Sequence, residues 1–392
     1  MKKVLLPDVV WFQEGPGVRN TQYTDSGVKL LNVANLVDGK IDLSNTNRFI
    51  SNDEAYGRYK HFLVDDGDLI IASSGIKVEY FDKKMGFINQ SHLPLCMNTS
   101  TIRFKTLDST KLDIRYFMYF LKSDNFKLQL SKQITGSAQL NFGPSHLKKM
   151  SIPIIAIEKQ RRIASVLDKV SGLIDKRRRQ MDRLDELVKS EFIEMFGDIE
   201  TNPKCYEKIP FRELCDAIGD GLHGTPKYDD NGDFFFINGN NLKAKAIVIT
   251  PETRRINKDE YERLFIKMGE NTVLLSINGT LGNTGFYNDE PVALGKSACY
   301  CNLGKRLIRE FVQGLFSSDS FQRFMETSAT GTTIRNFGLK ALREYKMIVP
   351  SLSEQHEYAR FVQQADKSKD EIKKSLEKLE TLKKALMQKY FE

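Results

Sequence analysis

Residues 135–154 read TGSAQLNFGPSHLKKMSIPI, and residues 330–350 read TGTTIRNFGLKALREYKMIVP. Both stretches contain Thr-Gly, a polar run, Asn-Phe-Gly, a leucine followed by a basic residue, and an apolar segment, in the same order. Gly136 and Gly331 are separated by 195 residues, and so are Asn141 and Asn336. Repetition over so long a period indicates one duplicated unit, because a solenoid would need several short repeats.

The duplication keeps a constant register over the C-terminal part of each half. Residues from about 121 to 197 align without a gap with residues from 316 to the C-terminus. Identical pairs in this register are Ser123 and Ser318, Phe126 and Phe321, Gly143 and Gly338, Leu147 and Leu342, Gln160 and Gln355, and Phe196 and Phe391. Farther upstream the match needs small gaps, which place Gly75 opposite Gly279. Each half therefore joins a variable N-terminal part to a repeated C-terminal part.

The variable parts have the pattern of strands and turns. Residues 25–105 contain short runs rich in β-branched and aromatic residues, such as VKLLNV and TSTIRFK, interrupted by Gly, Asn and Asp. A helix with one apolar face is predicted over 112–133. The second half repeats this order with FFFIN, TVLLSI and a helix around 306–327.

Each half ends in a long amphipathic helix. Apolar residues recur at alternating steps of three and four along 158–196, and again in the stretch after Pro350. This spacing is typical of a coiled-coil seam, and at 1.5 Å per residue each helix would be ~50 Å long. Neither helix can bury such a long, narrow stripe alone, so we expect the two to pack on each other, antiparallel if the duplication is a pseudo-twofold.

These patterns predict an α+β fold. Two mixed α/β domains are separated by two long helices packed as an antiparallel coiled coil, and the whole is a pseudo-twofold duplication. The predicted segments are a first domain at 1–154, a first helical spacer at 155–197, a second domain at 198–349 and a second spacer at 350–392.

Composition indicates a soluble, intracellular, cytoplasmic protein with an anionic partner. The net charge is +8 with a pI near 9.0, and nucleic acid is the commonest partner of such a chain. No apolar run approaches the roughly 18 residues needed to span a membrane. The five cysteines form neither an even disulfide framework nor a metal-binding pattern. Cys299 and Cys301 are expected on opposite faces of a strand.

Motifs for catalysis are not found in the sequence. GTLGNTG (279–285) lacks the Gly-Lys-Ser/Thr of a phosphate loop and reads better as a tight hairpin, although its glycines could let the backbone approach a phosphate. DGLHGTPKYDDNGD (220–233) reads as an exposed loop rather than a metal or acid-base site, and KRRR (176–179) as a solvated helix face. No methyl-donor loop precedes an Asn-Pro-Pro-aromatic motif. We therefore predict no catalytic, cofactor-binding or metal-binding residues in this chain.

The whole chain resembles the specificity (S) subunits of type I restriction-modification systems. The similarity is carried by the duplicated halves, by the TG…NF element before each long helix, and by residues 155–198 and 350–392, in which Glu-Gln opens the helix and an aromatic residue ends it. FRELCDAIGDGLHGTPKYDDNGDFFFINGNNL (211–242) is similar to the usual opening of a target recognition domain.

The resemblance implies the function and the partners. Each target recognition domain would read one part of a bipartite site in double-stranded DNA, and the helical rod would set the spacing. Two modification subunits, which carry the S-adenosylmethionine site, would dock around the rod, and restriction subunits would join for cleavage. The chain itself would be non-catalytic.

Polar and basic residues in the loops are the candidates for DNA contact. They are Ser74, Lys77, Lys84, Gln139, Asn141, His223, Lys227, Asn278, Lys296, Arg335 and Asn336. Asn141 and Asn336 occur in both halves and could equally be structural turn residues. Gln139 and Arg335 are better candidates for base reading, because the halves differ there and these side chains pair bidentately with adenine and guanine.

Two other classes of function stay open at this point. One is a stand-alone enzyme that modifies or cuts DNA with an unrecognised site, against which the missing methyl-donor motifs count. The other is a coiled-coil scaffold that binds only proteins, against which the strand-rich domains with basic loops count.

Overall fold

The computed structural model describes residues 2–134, 140–243, 245–331 and 335–392. The chain divides into two compact units. The first comprises Met1–Lys176 together with Ser375–Glu392, and the second comprises Arg177–Lys374. This division differs from the four predicted segments, because each unit takes in part of both long helices.

The first unit is a mixed α/β unit in which the largest sheet is antiparallel and has the strand order β2-β11-β7-β9. Its strands are β1 Lys2–Leu5, β2 Val10–Glu14, β3 Val28–Leu31, β4 Leu36–Val37, β5 Lys40–Ile41, β6 Phe49–Ile50, β7 Leu69–Ala72, β8 Ser74–Ile76, β9 Met85–Phe87, β10 Leu95–Met97, β11 Thr101–Thr106, β12 Leu140–Asn141 and β13 Ser151–Ile154. Its helices are α1 Asn52–Tyr56, α2 Ile114–Lys122, α3 Asp124–Ser131, α4 Pro144–Leu147 and the first part of α5 Ile157–Phe196. A smaller sheet has the order β10-β3-β6, with β10 parallel to β3.

The second unit repeats this topology. Its strands are β14 Lys208–Pro210, β15 Cys215–Asp220, β16 Phe234–Ile237, β17 Leu242–Lys243, β18 Ala246–Ile247, β19 Arg255–Ile256, β20 Thr272–Ser276, β21 Thr284–Phe286, β22 Val292–Leu294, β23 Ala298–Leu303 and β24 Lys346–Ile348. Its helices are α6 Lys258–Arg263, α7 Arg309–Phe316, α8 Asp319–Ser328, α9 Leu339–Glu344 and α10 Leu352–Phe391, of which the last residues belong to the first unit. The order β15-β23-β20-β21 corresponds to the large sheet of the first unit, and β22-β16-β19 to the small one.

The central strands explain why each unit forms around its large sheet. Every residue of β7 (LIIA) and of β20 (TVLLS) is buried, as expected for a strand covered on both faces. Helix α2 covers the first sheet with Phe117 and Phe120, and α7 covers the second with Phe311 and Leu315. The duplicated mixed α/β architecture predicted from the sequence is therefore present.

The single helix predicted over 112–133 is wrong, because the chain breaks at Ser123 into α2 and α3. The hydroxyl of Ser123 accepts a hydrogen bond from the backbone N–H of Phe126 at 3.3 Å, which caps the second helix. Ser318 caps α8 in the same way, through Phe321 N–H at 3.3 Å, so the helix predicted around 306–327 is also two helices.

The long helices α5 and α10 are 40 residues each and begin within two residues of the predicted starts of the spacers. In the second unit, the end of α5 packs beside the start of α10, with the rings of Phe192 and Tyr358 5.4 Å apart. In the first unit, Ile163 near the start of α5 and Phe391 at the end of α10 lie in one hydrophobic core. Each unit thus contains the beginning of one long helix and the end of the other.

A lysine near a small two-stranded hairpin makes an ion pair with a long helix in each unit. Lys40 of β5 pairs with Asp175 on α5 at 3.9 Å, and Lys245, between β17 and β18, pairs with Asp366 on α10 at 2.9 Å. An ion pair therefore links the variable part of each unit to a helix of the same unit, weakly in the first unit, where both side chains are exposed.

The expectation for Cys299 and Cys301 is also wrong. Both side chains are fully buried in one core, with their Sγ atoms 3.9 Å apart, and both are free thiols. Side chains alternate along a strand, so residues two positions apart share a face. The predicted hairpin at 279–285 is present between β20 and β21, but its connection is longer than a tight turn.

Within the described ranges, no helix combines the length and the apolar character needed to cross a lipid bilayer.

Candidate nucleic-acid interface

The Asn-Phe-Gly element of the first unit joins the loop that follows its central strand. Phe142 N–H donates to the carbonyl of Ser73 at 2.9 Å, and Gly75 N–H donates to Asn141 Oδ1 at 3.3 Å. Asn141 of β12 is also the register partner of Ser74 in β8. The ring of Phe142 is buried beneath this junction and anchors it to the core.

The second unit builds the same junction. Phe337 N–H donates to the carbonyl of Ile277 at 2.8 Å, and Gly279 N–H donates to the carbonyl of Arg335 at 3.0 Å. Asn278 and Asn336 form an isolated bridge, and Asn278 Nδ2 donates to Asn336 Oδ1 at 3.4 Å. The duplicated sequence therefore forms the same element in both units.

Gly75 and Gly279, placed opposite each other by the sequence, have the same backbone conformation. Their φ angles are +72° and +77°, in the left-handed region that favours glycine. A Cβ at either position would meet nothing within 4 Å, so the backbone conformation is what requires glycine.

Two further loops of the second unit lie next to the junction formed by Ile277 and Phe337. Ile277 N–H donates to the carbonyl of Ser297 at 3.0 Å, and Lys296 N–H donates to the carbonyl of Leu222 at 3.1 Å. These bonds bring the loop after β15, which holds His223, next to the loop that holds Lys296. The exposed ring of His223 is held by Asp220, with Nε2 2.7 Å from Oδ2.

Seven of the predicted contact residues are exposed. They are Lys77, Asn141, His223, Lys227, Lys296, Arg335 and Asn336. Ser74 and Asn278 are half-buried at the two junctions, and Gln139 lies outside the described residues. In the 195-residue register Gln139 stands opposite Ile334, and Arg335 stands opposite Leu140, so the two favoured readers are not a matched pair.

Lys84 is not brought together with the others. Its half-buried ammonium donates to the carbonyl of Leu36 at 2.8 Å, which ties the β4–β5 hairpin to the residue before β9. The amides of Asn141 and Asn336 likewise have partners within their own units. Among the described residues the Arg335 side chain has a weak ion-pair partner, since Glu326 is 3.9 Å away and both side chains are more than half exposed.

Lys227 is placed by its backbone rather than by its side chain. Its N–H donates to Glu260 Oε1 at 3.0 Å, and the same carboxylate accepts two hydrogen bonds from Arg263, at 2.8 Å and 2.6 Å. The Arg263 hydrogen bonds, helped by the Lys227 N–H, lower the pKa of Glu260 to about 2. The carboxylate therefore stays ionised and holds the loop at neutral pH.

A tyrosine–arginine pair with an exposed arginine lies at the same place in each unit and is absent from the predicted contact residues. Arg48 lies over the ring of Tyr23, and Arg254 lies over the ring of Tyr228. The pattern Tyr-x-Asp-x-Gly followed by Arg-x-Ile occurs in both halves and could have revealed these pairs. Small gaps in the upstream alignment obscure it. In the described part of the chain, no cluster of three or more His, Cys, Asp or Glu side chains could hold a metal ion.

Comparison with known families decides the assignment. The family model of the type I restriction modification DNA specificity domain matches residues 18–184 and, a second time, residues 203–384. The chain belongs to this family. Specificity subunits are the DNA-recognition components of restriction-modification complexes, so membership confirms the predicted family and places the chain outside the catalytic subunits.

Relatives of the specificity-subunit family align over different shares of the chain. The type I restriction enzyme MjaVIII specificity subunit of Methanocaldococcus jannaschii is 27% identical over 190 residues, which is 47% of this chain and 43% of that protein. The type I restriction enzyme EcoKI specificity subunit of Escherichia coli K12 is 21% identical over 393 aligned residues, covering 94% of this chain and 82% of that protein.

Solved structures support the fold of the specificity-subunit family over the full length. The type I restriction-modification S subunit from M. genitalium has a TM-score of 0.56 at 16% identity, covering 100% of this chain and 96% of that one. A chain from a study of complex assembly and conformational transition of the type I system has a TM-score of 0.59 at 17% identity, covering 100% and 97%. At these identities the likeness concerns the fold alone.

Proposed function

We propose that this chain is the sequence-reading subunit of a type I restriction-modification complex, in which each unit reads one part of a bipartite DNA target. The observation that carries the proposal is the double match of the family model, once over 18–184 and once over 203–384. Both copies build the same backbone junction, whereas the exposed side chains around it differ. Shared geometry with different side chains is what two unlike half-sites require.

We further propose that α5 and α10 pair as an antiparallel coiled coil that sets the spacing between the half-sites. Support comes from the presence, within each unit, of the start of one helix beside the end of the other. In the second unit Lys369 of α10 also forms an ion pair with Asp185 of α5. Two modification subunits that carry S-adenosylmethionine would dock around these helices, and restriction subunits would complete the assembly in the cytoplasm.

The experiment that tests the proposal maps methylation. The chain is co-expressed with modification subunits, and methylated positions are mapped across the host DNA. We expect one bipartite sequence with a fixed spacer. Methylation or cleavage by the purified chain alone, or a continuous recognition sequence, would contradict the proposal.

Base reading by Arg335 is tested in the same assay. If its guanidinium pairs with a guanine, Arg335→Ala should relax one position in one half-site only, at a discrimination cost of about 1–3 kcal/mol. Lys258→Ala is the control, because it removes one positive charge from the same unit at an exposed ion pair with Glu262. An unchanged methylation pattern and affinity in Arg335→Ala would remove Arg335 from the reading set.

A further inference from the structure

At the same place in each unit, an exposed arginine lies over the ring of a tyrosine. The guanidinium carbon of Arg48 is 5.6 Å from the ring centroid of Tyr23, and that of Arg254 is 5.4 Å from the ring centroid of Tyr228. Both arginines are exposed, and across the described residues neither forms an ion pair. A cation–π contact with a ring leaves N–H groups of the guanidinium available for a ligand.

Backbone hydrogen bonds show that the two arginines occupy the same place in the two units. Leu30 N–H donates to the carbonyl of Arg48 at 2.9 Å, and Phe236 N–H donates to the carbonyl of Arg254 at 2.9 Å. Because β3 and β16 are the middle strands of the equivalent small sheets, each arginine lies immediately before the edge strand of its sheet.

The tyrosines are equivalent by the same criterion. Thr24 N–H donates to the carbonyl of Phe49 at 3.0 Å, and Asp229 N–H donates to the carbonyl of Arg255 at 3.0 Å. The residues just before these two donors are Tyr23 and Tyr228.

Each tyrosine is also fixed from the other side. Gln22 Nε2 donates to Glu54 Oε1 of α1 at 2.7 Å, and Lys227 N–H donates to Glu260 Oε1 of α6 at 3.0 Å. A glutamate on the equivalent short helix thus holds the residue that precedes the tyrosine in both units. These bonds restrain the position of the tyrosine ring, and an arginine held over a restrained ring loses less freedom when it binds a ligand.

Residues next to the tyrosine–arginine pair in the small sheets differ between the two units, but the pair itself is the same in both. Lys29 and Phe49 of the first unit are replaced by Phe235 and Arg255 in the second. The fold alone does not explain why both units keep an exposed arginine over this tyrosine, since no described residue forms an ion pair with its guanidinium. A ligand common to both units does explain it, and the two halves of a DNA target share the sugar-phosphate backbone although their bases differ.

We propose that Arg48 and Arg254 are a duplicated pair of phosphate contacts, one in each unit, that position the duplex without reading its sequence. This inference rests on the proposed DNA-binding function and adds to it a sequence-independent contact. The planar fork of N–H groups on a guanidinium matches the geometry of a phosphate.

The test measures affinity of the full-length chain, with its modification subunits, for a target duplex and for an unrelated duplex of equal length across a salt series. Arg48→Gln and Arg254→Gln should each weaken binding to both duplexes to the same extent, by about tenfold near 0.1 M salt. Each should also reduce the magnitude of the slope of log binding constant against log salt concentration by about 0.9. Arg48→Lys and Arg254→Lys should keep the slope but lose part of the affinity.

Arg255→Gln is the matched control. Arg255 lies over Phe235 at 4.9 Å, but its guanidinium already donates to the carbonyl of Gly232 at 3.2 Å, so little change is expected. An equal loss in Arg255→Gln would mean that only net charge matters and would overturn the assignment. A loss confined to the target duplex would overturn the sequence-independent role.

Failure of the inference can be told apart from failure of the proposed function. If the wild-type complex binds its target and the folded Arg48→Gln and Arg254→Gln variants bind equally well with an unchanged slope, the inference alone is wrong. If the wild-type complex binds no DNA, the proposed function is wrong as well. Thermal unfolding of each variant establishes that it is folded.

Discussion

At the scale of single residues, two buried glutamines fix the start of the long helices. Gln160 Oε1 accepts from Asp113 N–H, and its Nε2 donates to the carbonyls of Lys111 and Ile155, at 2.7–3.0 Å. Gln355 makes the same three bonds with Ile308, Arg306 and Pro350, at 2.9–3.1 Å. Every partner is displaced by the same 195 residues, so the duplicated letters of the sequence correspond to a duplicated set of hydrogen bonds.

Replacing Gln355 by Leu should lower the free energy of unfolding by about 2–5 kcal/mol. The substitution leaves one buried and two half-buried backbone groups without this partner, and each such group is costly. Urea denaturation measures the effect, and Gln363→Leu, at an exposed position of the same helix, is the control. Equal stability of the two variants would show that the three bonds contribute nothing.

Lys122 predicts a pH dependence of stability. Burial, together with the nearby charge of Lys383, lowers the pKa of its ammonium to about 8, against the attraction of Asp82, Asp168 and Asp175. Below pH 8 the lysine is charged in both folded and unfolded chains, so the full cost of burying the charge is present. Between pH 8 and about 10.5 the lysine is protonated to a greater extent in the unfolded chain than in the folded one. Its contribution to the free energy of unfolding therefore rises as the pH rises through this range.

Lys122→Met should therefore stabilise the protein at pH 7 by about 1–3 kcal/mol. The advantage over wild type should shrink as the pH rises from 8 to 10.5. Thermal unfolding of both proteins across this range measures the difference. A variant that is less stable at pH 7, or whose advantage does not change with pH, would contradict the pKa assignment.

At the scale of secondary structure, the sequence predicts the order and repetition of the elements more accurately than the residues at which they end. The 195-residue register correctly places the Asn-Phe-Gly junctions and the long helices, because hydrophobic period and glycine conformation are local properties. The break at Ser123 was missed because the apolar pattern continues through it, although Ser-Asp is itself a capping signal.

For the same reason, the sequence does not show how the candidate site residues are held. A loop lysine such as Lys84 looks like a phosphate ligand until the carbonyls that it binds are brought close by folding. Tyr23 and Arg48, by contrast, do not stand out in the sequence. Their correspondence to Tyr228 and Arg254 becomes clear only from backbone hydrogen bonds between segments that are distant in the chain. Residue type is visible in a sequence, but the partner of a side chain is not.

Removal of the helix caps tests the break between α2 and α3. Ser123→Ala and Ser318→Ala should each lower the free energy of unfolding by about 1 kcal/mol, since each leaves a helical N–H without its acceptor. Urea denaturation measures both. Ser131→Ala is the control, because this exposed serine lies at the end of α3 and its hydroxyl donates to the carbonyl of Leu128 in the same helix. Ser320→Ala would not serve, because the hydroxyl of Ser320 donates to Asp198.

At the scale of the whole molecule, the first unit is made from two separate stretches of chain, whereas the second is one continuous stretch. Phe391, near the C-terminus, is buried in the first unit, where its ring lies 5.0 Å from that of Tyr116. Its copy Phe196 is buried in the second unit, 5.0 Å from the ring of Phe311. The end of each long helix therefore completes a hydrophobic core.

Phe391→Ala and Phe196→Ala should affect different units. Each removes a fully buried ring, at a cost of about 3–5 kcal/mol. Hydrogen exchange should accelerate in α2 and β11 for Phe391→Ala, and in α7 and β23 for Phe196→Ala. Faster exchange in α7 alone for Phe391→Ala would contradict the division into units.

The discontinuity of the first unit also constrains how the protein is made. A ribosome that has finished Lys176 must add about 200 more residues before Ser375–Glu392 exists, which at 5–20 residues per second takes roughly 10–40 s. During that time the aromatic residues that Phe391 later covers stay uncovered on the nascent chain. The half that is translated first is therefore the half that finishes folding last.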